Sequence, residues 1–515
     1  MASIGDPPAG VIVFIGFMGA GKTRAAKGAA SVLGVEAVDV DAEIERELGK
    51  PVAEIFRSEG EARFRETEER HALSALAGGG LVSLGGGAVE SKRVRDALGD
   101  CFVVWCRITE EAAWTRCSGT DRPLARDRAA FARLHEAREP VYESLADAVL
   151  TDAGEQVGRL AAPWLAGAAA LPGARLAWAS SESGEYPAIV AEGALDLLAR
   201  SSSGRWFCIA DPGALKHQGA RLPAVAGTIE AGGGESLKTM AEAERVLRSL
   251  AQAGARRDDG VLAFGGGVVG DLAGFCAASY QRGVPVVQAP TTLVAQVDSA
   301  YGGKTGVDLP EAKNYVGAYH MPQAVLVEPG ALSTLPPEEL AAGFTEALKT
   351  ALIAGGSLWE RVRAIESLDP STLADVVFDC ARTKIDVVAS DERDAGWRQV
   401  LNLGHTVGHA IEAASGYGRY RHGEAVALGL LAALRLSGAG ELRGEVGEIL
   451  ARHGLPVELD PCIDPEAITG ALALDKKADA EGISFVLLER PGEPIIGARL
   501  GGDIVRDAVD ELRAS

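Results

Sequence analysis

The stretch "VIVFIGFMGAGKT", residues 11–23, decides the fold of the first third of the chain. Its first six residues are an unbroken apolar run, the pattern of a strand buried on both faces of a parallel sheet. The turn after it fits G-x-x-x-x-G-K-[ST] from Gly16 to Thr23, and a helical pattern opens at Lys22. Strand, glycine turn and helix N-terminus together make a phosphate cradle. The backbone around Gly16, Gly19, Ala20 and Gly21 curls about the anion, Lys22 neutralises it, and Thr23 ligates Mg2+. Working outward, "VEAVDVD" (35–41), "LVSLGGG" (81–87) and "CFVVWCR" (101–107) read as further strands between helical patterns. That alternation predicts a doubly wound α/β domain.

Residues 151–182 are rich in Ala, Gly and Pro, and their middle reads as an interdomain linker. A second α/β unit follows, with strands expected at 206–211, 260–267 and 285–290, and from about Pro336 the pattern turns helical. The expected organisation is a P-loop domain at 1–160, a linker at 161–182, a Rossmann-like α/β subdomain at 183–335 and a mainly helical one at 336–515. The cleft between two such subdomains is a natural ligand site.

The bulk numbers exclude several classes. Hydrophobic residues make up 47% of the 515 and charged residues 24%, as in ordinary globular protein. The net charge is −21. Residues 1–175 carry 21 Lys+Arg against 26 Asp+Glu, and the remainder 30 against 46. Neither part has the basic excess of a nucleic-acid or anionic-membrane binder. Seven scattered cysteines without a CxxC pair argue against a disulfide framework or a cysteine zinc site. The N-terminus lacks a signal-peptide pattern, and the apolar run at 160–174 is broken by Pro163 and Pro172, so a cytoplasmic protein is expected.

Residues at the strand ends narrow the chemistry of the first domain, because α/β sheets bind ligands there. Asp41 suits acceptor hydroxyls, and Arg65 suits a carboxylate held bidentately. Each also has a bland reading: Asp39 as a helix cap, Arg65 as a surface partner of Glu61 or Glu68, and Gly85, Gly86 and Gly87 as a turn. Arg122, in "RPLARD", suits a lid closing over a nucleotide. Taken in order, "GFMGAGKT", "DVD", "IFRSEGEARFRETE", "LGGG", "RPL" and "REPVYESLAD" make residues 10–150 resemble shikimate kinase. The resemblance implies transfer of the ATP γ-phosphoryl group to the 3-hydroxyl of shikimate. It assigns Lys22 and Thr23 to ATP and Mg2+, with Asp39 assisting the metal through water. Asp41 becomes the candidate base; Arg65, Gly85, Gly86, Gly87 and Arg138 hold shikimate; Arg122 comes from the lid, and Arg116 lies near the adenine. Val40 and Arg24 depart from the family pattern without removing a needed charge.

The second half holds a glycine triplet, Gly265 to Gly267, after an expected strand, with Asp271 beyond it. Downstream come Arg282, Asp298, Lys304, Lys313 and Asn314, then Glu346, Lys349, Lys384, Arg398 and Asn402, and finally "DKK" with Lys476 and Lys477. So many cations in an acidic region suggest a local pocket for an anionic ligand. Glu346, His405 and His422 make a plausible set for Zn2+, with open positions for substrate oxygens. His405 and His409 share one helix face, and residue types alone leave open ligation or satisfied core histidines.

Residues 185–515 resemble 3-dehydroquinate synthase through "GESLK", "GGGVVGDLAGF", "GGKTG", "HGEAVA" and "DKK", in order. The resemblance implies an NAD-dependent, zinc-bearing lyase acting on 3-deoxy-D-arabino-heptulosonate 7-phosphate. The substrate is transiently oxidised at C5, loses phosphate, is reduced again, and closes to 3-dehydroquinate. It assigns Zn2+ (or Co2+) to Glu346, His405 and His422, and NAD to Asp211, Glu235, Lys238, Gly265, Gly266, Gly267, Asp271, Thr291 and Thr292. Substrate contacts fall to Arg282, Asp298, Lys304, Lys313, Asn314, Lys349, Lys384, Arg398, Asn402, Lys476 and Lys477. His409 is a nearby proton or phosphate contact, and a homodimer through this half is implied. The departures are Ala300, Tyr301, Asp308, Ala312 and Tyr315. Two other readings keep part of this fold: a sugar-phosphate cyclase of secondary metabolism, and a polyol dehydrogenase with net NAD reduction. A third makes the N-terminal domain a non-catalytic regulatory module.

Overall fold

The structure, a computed structural model, describes residues 10–201, 204–232, 234–416, 418–474, 478–479 and 482–513. Lys476 and Lys477 lie outside the described residues. The chain divides into two compact units, 1–180 with 185–202, and 181–184 with 203–515.

In the first unit, β1 (Ile12–Ile15) leads through the phosphate-cradle turn into α1 (Lys22–Leu33), β2 (Ala37–Asp39) and α2 (Val40–Leu48). Next come α3 (Val52–Glu59), α4 (Glu61–Gly78), β3 (Leu81–Ser83), α5 (Lys92–Leu98), β4 (Phe102–Arg107) and α6 (Glu110–Cys117). The unit closes with α7 (Arg128–Leu145), β5 (Ala148–Thr151), α8 (Glu155–Ala168), β6 (Arg175–Ser181) and β7 (Gly184–Val190). Its strands lie in the order β2-β3-β1-β4-β5-β6-β7. The pairs from β2 through β6 are parallel. All four residues of β1 are buried, as its unbroken apolar run requires. β3 and β4 flank β1, so the chain winds to one side after β1 and to the other after β3. The crevice for a ligand opens at that switch point, where the glycine turn sits.

The expected linker at 161–182 is instead folded. Residues 161–168 complete α8, which buries Ala161, Ala162, Trp164 and Leu165, and β6 then extends the sheet. The small residues that read as flexible are packing residues. A Cβ at Gly28 of α1 would overlap the Glu155 carbonyl, and one at Gly158 of α8 the Ala25 carbonyl. The two helices therefore cross at backbone contact, which only glycine at both positions permits. The expected boundary at 183 also moves, since 185–202 belong to this unit.

The second unit begins with β8 (Trp206–Ala210), α9 (Pro212–Gln218), β9 (Gly227–Glu230), α10 (Met240–Gln252), β10 (Gly260–Gly265) and α11 (Gly267–Ser279). It continues with β11 (Val286–Pro290), the hairpin β12 (Lys304–Leu309) and β13 (Ala312–Tyr319), and β14 (Ala324–Val327). Five of these strands take the order β14-β11-β10-β8-β9 with parallel pairing, the expected Rossmann-like arrangement. The remainder is α12 (Pro337–Ala354), α13 (Gly356–Arg363), α14 (Pro370–Ser390), α15 (His405–Ala414), α16 (His422–Leu436) and α17 (Gly440–Arg452). After α18 (Pro465–Leu474) a small antiparallel sheet forms from β15 (Ala478–Asp479), β16 (Gly482–Leu488) and β17 (Pro494–Leu500), and α19 (Gly502–Asp510) ends the unit. That sheet adds strands to a segment expected to be mainly helical. Among the described residues no helix is long and apolar enough to cross a membrane.

Candidate active sites

The glycine turn of the first unit holds Gly16, Gly19 and Gly21 at φ of 141°, 81° and 87°, and α1 opens at Lys22. Lys22 Nζ donates to the Phe17 carbonyl at 3.1 Å, folding its charge over the turn. Burial lowers its pKa, while Asp41 opposes the shift. Thr23 Oγ1 donates to Asp39 Oδ2 at 2.5 Å, and Asp39 Oδ1 accepts from Ala42 N at 3.0 Å. Asp39 is thus the helix cap of α2 and the partner of Thr23 at once. Burial raises the pKa of Asp41, on the first turn of α2, against the pull of Lys22. The residue still reaches solvent, and a carboxylate poised upward there suits a general base. Arg116 NH1 donates to the Gly19 carbonyl at 3.1 Å, beside the glycine turn.

Next to this turn, a cavity of 110 Å³ is lined by Asp41, Arg65, Gly86, Gly87, Arg122 and Arg138, all singled out from the sequence. Arg65 donates to Glu68 at 2.5 Å and to Glu61 at 3.1 Å, so both bland partners are real. Glu68, however, is 2% exposed, which makes this an interior pair at the cavity wall. Burial raises the Glu68 pKa, and Arg65 pulls it back. Tyr142 OH donates to the Gly86 carbonyl at 2.5 Å and fixes the turn. A Cβ on Gly85 would overlap Glu68 and crowd Asp41 Oδ1, and one on Gly87 would overlap the Arg65 guanidinium. The triplet is bare because two carboxylates and a guanidinium fill the space above it. Gly87→Ala is therefore expected to displace Arg65 by about 1 Å and raise KM for the ligand of this cavity roughly 10- to 100-fold. Steady-state kinetics on the folded variant check this, and an unchanged KM refutes it.

In the second unit, the one-turn helix Ala295–Ser299 presents Asp298 to two lysines. Lys349 Nζ on α12 donates to Oδ2 at 2.8 Å, and Lys384 Nζ on α14 to Oδ1 at 2.5 Å. Lys349 also pairs with Glu346 Oε2 at 2.6 Å. The lysines respond differently. Burial acts against the charge of Lys349, but Asp298 and Glu346 outweigh it and raise its pKa, whereas burial prevails at Lys384 and lowers it. Such a pair supplies one fixed charge and one proton donor.

Glu346 Oε1 faces His405 Nε2 at 3.6 Å and His422 Nε2 at 3.4 Å. The other ring nitrogens are occupied: His405 Nδ1 contacts the Leu403 carbonyl at 3.2 Å, and His422 Nδ1 contacts Glu412 Oε2 at 3.3 Å. Backbone carbonyl and carboxylate partners of this kind orient metal-ligating imidazoles. The three rings converge, with donor atoms of His405, His409 and His422 within 4.8 Å of one another. Burial lowers the His405 pKa well below the ordinary range, which favours the neutral ligand form. At His422 burial is outweighed by Glu346 and Glu412, which raise the value to about 10.

The glycine turn at Gly265–Gly267 ends β10 and opens α11, and a Cβ on Gly266 would come within 2.9 Å of Thr292. Thr291 N donates to the Gly265 carbonyl at 2.9 Å, closing the turn. Lys238, 3% exposed, donates to Asp271 at 2.8 Å and lies 3.6 Å from Glu235. Burial raises the Asp271 pKa, and Lys238 moderates the rise. Asp211 accepts from Ala214 N at 2.9 Å, so one of its oxygens caps α9. Arg398, expected to meet substrate, is 2% exposed and donates to the carbonyls of Glu392 at 2.6 Å and Gly302 at 3.3 Å. It holds up the glycine turn before Lys304, whose Nζ pairs with Asp394 at 2.5 Å. Asn314 sits at φ 54° near the hairpin tip, and Asn402 is half-buried just before α15. Arg282 is exposed at φ 69° after α11.

Comparison with known proteins follows the same division. Residues 228–342 match the 3-dehydroquinate synthase N-terminal family and residues 343–478 its C-terminal counterpart. The synthase of Symbiobacterium thermophilum is 43% identical over 290 residues, covering 54% of this chain and 81% of the relative. The chain belongs to the 3-dehydroquinate synthase family. The synthase of Gloeobacter violaceus is 39% identical over 352 residues, 64% of this chain and 96% of the relative. Residues 18–166 match the shikimate kinase family, so the chain is a fusion of the two and carries two enzymes of the shikimate pathway. Among solved structures, a 2-deoxy-scyllo-inosose synthase with carbaglucose-6-phosphate, NAD+ and Co2+ is 24% identical at a TM-score of 0.59, covering 65% of this chain and 99% of that one. A 2-epi-5-epi-valiolone synthase from Streptomyces hygroscopicus with NAD+ and Zn2+ is 26% identical at 0.59, covering 65% and 98%.

Two departures of the synthase half have structural roles. Tyr301 is 2% exposed and donates to the Gln296 carbonyl at 2.8 Å, bracing the turn that carries Asp298. Asp308 accepts from Asn314 N at 2.6 Å, and its own N–H donates to the Lys238 carbonyl at 2.7 Å. It ties the hairpin β12–β13 to the Lys238 segment. Sequence reasoning missed Glu412, which contacts His422 and lies 3.7 Å from Lys313. Its place one turn after His409 in "GHAIE" was the available signal.

Proposed function

We propose that the synthase half works on 3-deoxy-D-arabino-heptulosonate 7-phosphate through Glu346, His405, His422, Asp298, Lys349 and Lys384, and that the kinase half phosphorylates shikimate in the 110 Å³ cavity. The observation that carries the synthase reading is Glu346, whose Oε1 faces two imidazole nitrogens while its Oε2 meets Lys349. One carboxylate and two nitrogens, each with an oriented partner, fit Zn2+ or Co2+. When bound, that ion supplies Lewis-acid polarisation of a substrate oxygen. The bare turn at Gly265–Gly267, with the Lys238–Asp271–Glu235 cluster, fits the phosphates and ribose of NAD, which supplies a hydride acceptor restored within each turnover. Lys349, kept charged by two carboxylates, holds a substrate oxygen in place. Lys384 gives up its proton more readily and is suited to donate it. His409 stands beside the two ligand rings as a proton or phosphate contact, and Lys304, Lys313 and Asn314 receive the anionic ends of the substrate.

In the kinase half, the Thr23–Asp39 pair fits Mg2+, and Lys22 and the glycine turn fit the β- and γ-phosphates of ATP. Asp41 takes the proton of the attacking hydroxyl, and Arg65 and Arg138 hold the carboxylate of shikimate. Arg122 closes over both ligands.

Phosphate release from the heptulosonate phosphate by ATP-free protein with NAD+ and Zn2+, with NADH absorbance followed in parallel, tests the synthase reading. Phosphate without net NADH is expected. Absence of release removes the substrate assignment, and net NADH favours a dehydrogenase. Lys22→Met should lower shikimate phosphorylation by roughly 10³-fold or more while phosphate release continues, because the lysine's electrostatic role at the phosphates has no substitute.

A further inference from the structure

Glu90 is a charged residue at the wall of the kinase site that the proposed chemistry does not use. It ends the short turn Ala88–Glu90, three residues past Gly87. Its Oε1 accepts from Arg138 Nε at 2.9 Å and Arg138 NH2 at 2.7 Å, and its Oε2 lies 3.8 Å from Arg65 Nε. Arg65 NH1 and NH2 are taken by Glu68 and Glu61, while the buried Nε makes no hydrogen bond. Both guanidiniums assigned above to the shikimate carboxylate thus already face a carboxylate of the chain itself.

We propose that Glu90 is an internal competitor for the substrate carboxylate and sets the affinity of the kinase for shikimate. This rests on the reading that Arg65 and Arg138 bind that carboxylate. When a substrate carboxylate arrives, one of the resident carboxylates must give way. Glu68 is 2% exposed and stays, because releasing it would leave a buried charge unpaired. Glu90 is 47% exposed and can return to water at little cost. It also lines a neighbouring cavity of 380 Å³ that shares Arg65 and Gly87 with the substrate cavity, so the displaced side chain has somewhere to go.

The test is steady-state kinetics of the full chain with Glu90→Gln, Glu90→Thr and Arg138→Met, varying shikimate at saturating MgATP. Both Glu90 variants should lower KM for shikimate about three- to tenfold, as expected for removing a partly exposed charged competitor, with kcat within about twofold of the parent. A KM that stays or rises, or a kcat that falls, overturns the proposal and makes Glu90 a prop for Arg138 instead. Arg138→Met distinguishes the underlying reading: it should raise KM at least about tenfold. If it does not, the carboxylate assignment fails and the Glu90 proposal falls with it. If it does, while the Glu90 variants leave KM unchanged, only the competition is refuted.

Discussion

Asp298→Asn should abolish synthase turnover and destabilise the second unit by about 3–5 kcal/mol, the usual cost of breaking a buried ion pair from one side. Asp298 gives one oxygen to Lys349 and the other to Lys384. An asparagine amide can accept from one lysine but turns an N–H₂ toward the second, leaving a buried ammonium facing a donor. Lys349 would keep Glu346, and Lys384 would lose its carboxylate partner. Urea unfolding and phosphate-release assays on the full chain measure both effects, with shikimate phosphorylation as the internal control for a folded first unit. A variant that unfolds at the parent urea concentration and keeps more than about a tenth of its turnover would sink the idea. The acid limb of stability follows too. Burial alone would raise the Asp298 pKa, but Lys349 and Lys384 hold it far below the ordinary carboxylate range. Its contribution is therefore complete above the unfolded carboxylate value of about 4 and is lost only as pH falls toward the depressed folded value.

Metal removal gives the other large effect. Protein dialysed against a chelator and then returned to Mg2+ should lose synthase activity by roughly 10³-fold or more, given the several kcal/mol that a Lewis acid contributes. Shikimate phosphorylation should persist, and Zn2+ or Co2+ should restore phosphate release. His405→Ala should behave as the stripped protein and resist restoration. Glu412→Gln keeps all three ligands but loses the charge that orients His422, so its affinity for the ion should fall about 10- to 100-fold. Direct metal titration reads this. Full synthase turnover after exhaustive stripping would remove the metal assignment.

Much of the kinase site was legible because its motifs are local. The apolar run of β1 ends where the glycine turn must begin, and the residues at 16–23 form one continuous turn into α1. The two histidines of α15 were legible for the same reason, since helical spacing alone sets them on one face. What escaped is non-local or dual in use. Asp39 reads as a cap or as a metal partner, and the structure has one oxygen capping α2 while the other takes the Thr23 hydroxyl. Arg398 reads as a pocket cation, yet its donors serve backbone carbonyls, which no pattern of residue types reveals. Glu90 meets Arg138 across 48 residues of sequence. The supposed linker failed for a further reason: alanine and glycine signal flexibility and close helix contact equally, and only the partner helix decides between them.

The crossing of α1 and α8 governs how the two activities can be separated. A protein ending at residue 160 would keep Gly158 but lose Ala161, Ala162 and Leu165, the buried face that backs α1. Because α1 begins at Lys22, its support and the phosphate grip would slacken together. A gene for the free kinase therefore has to carry α8 to its end, and a protease that nicks the chain within that helix would silence the kinase rather than liberate it.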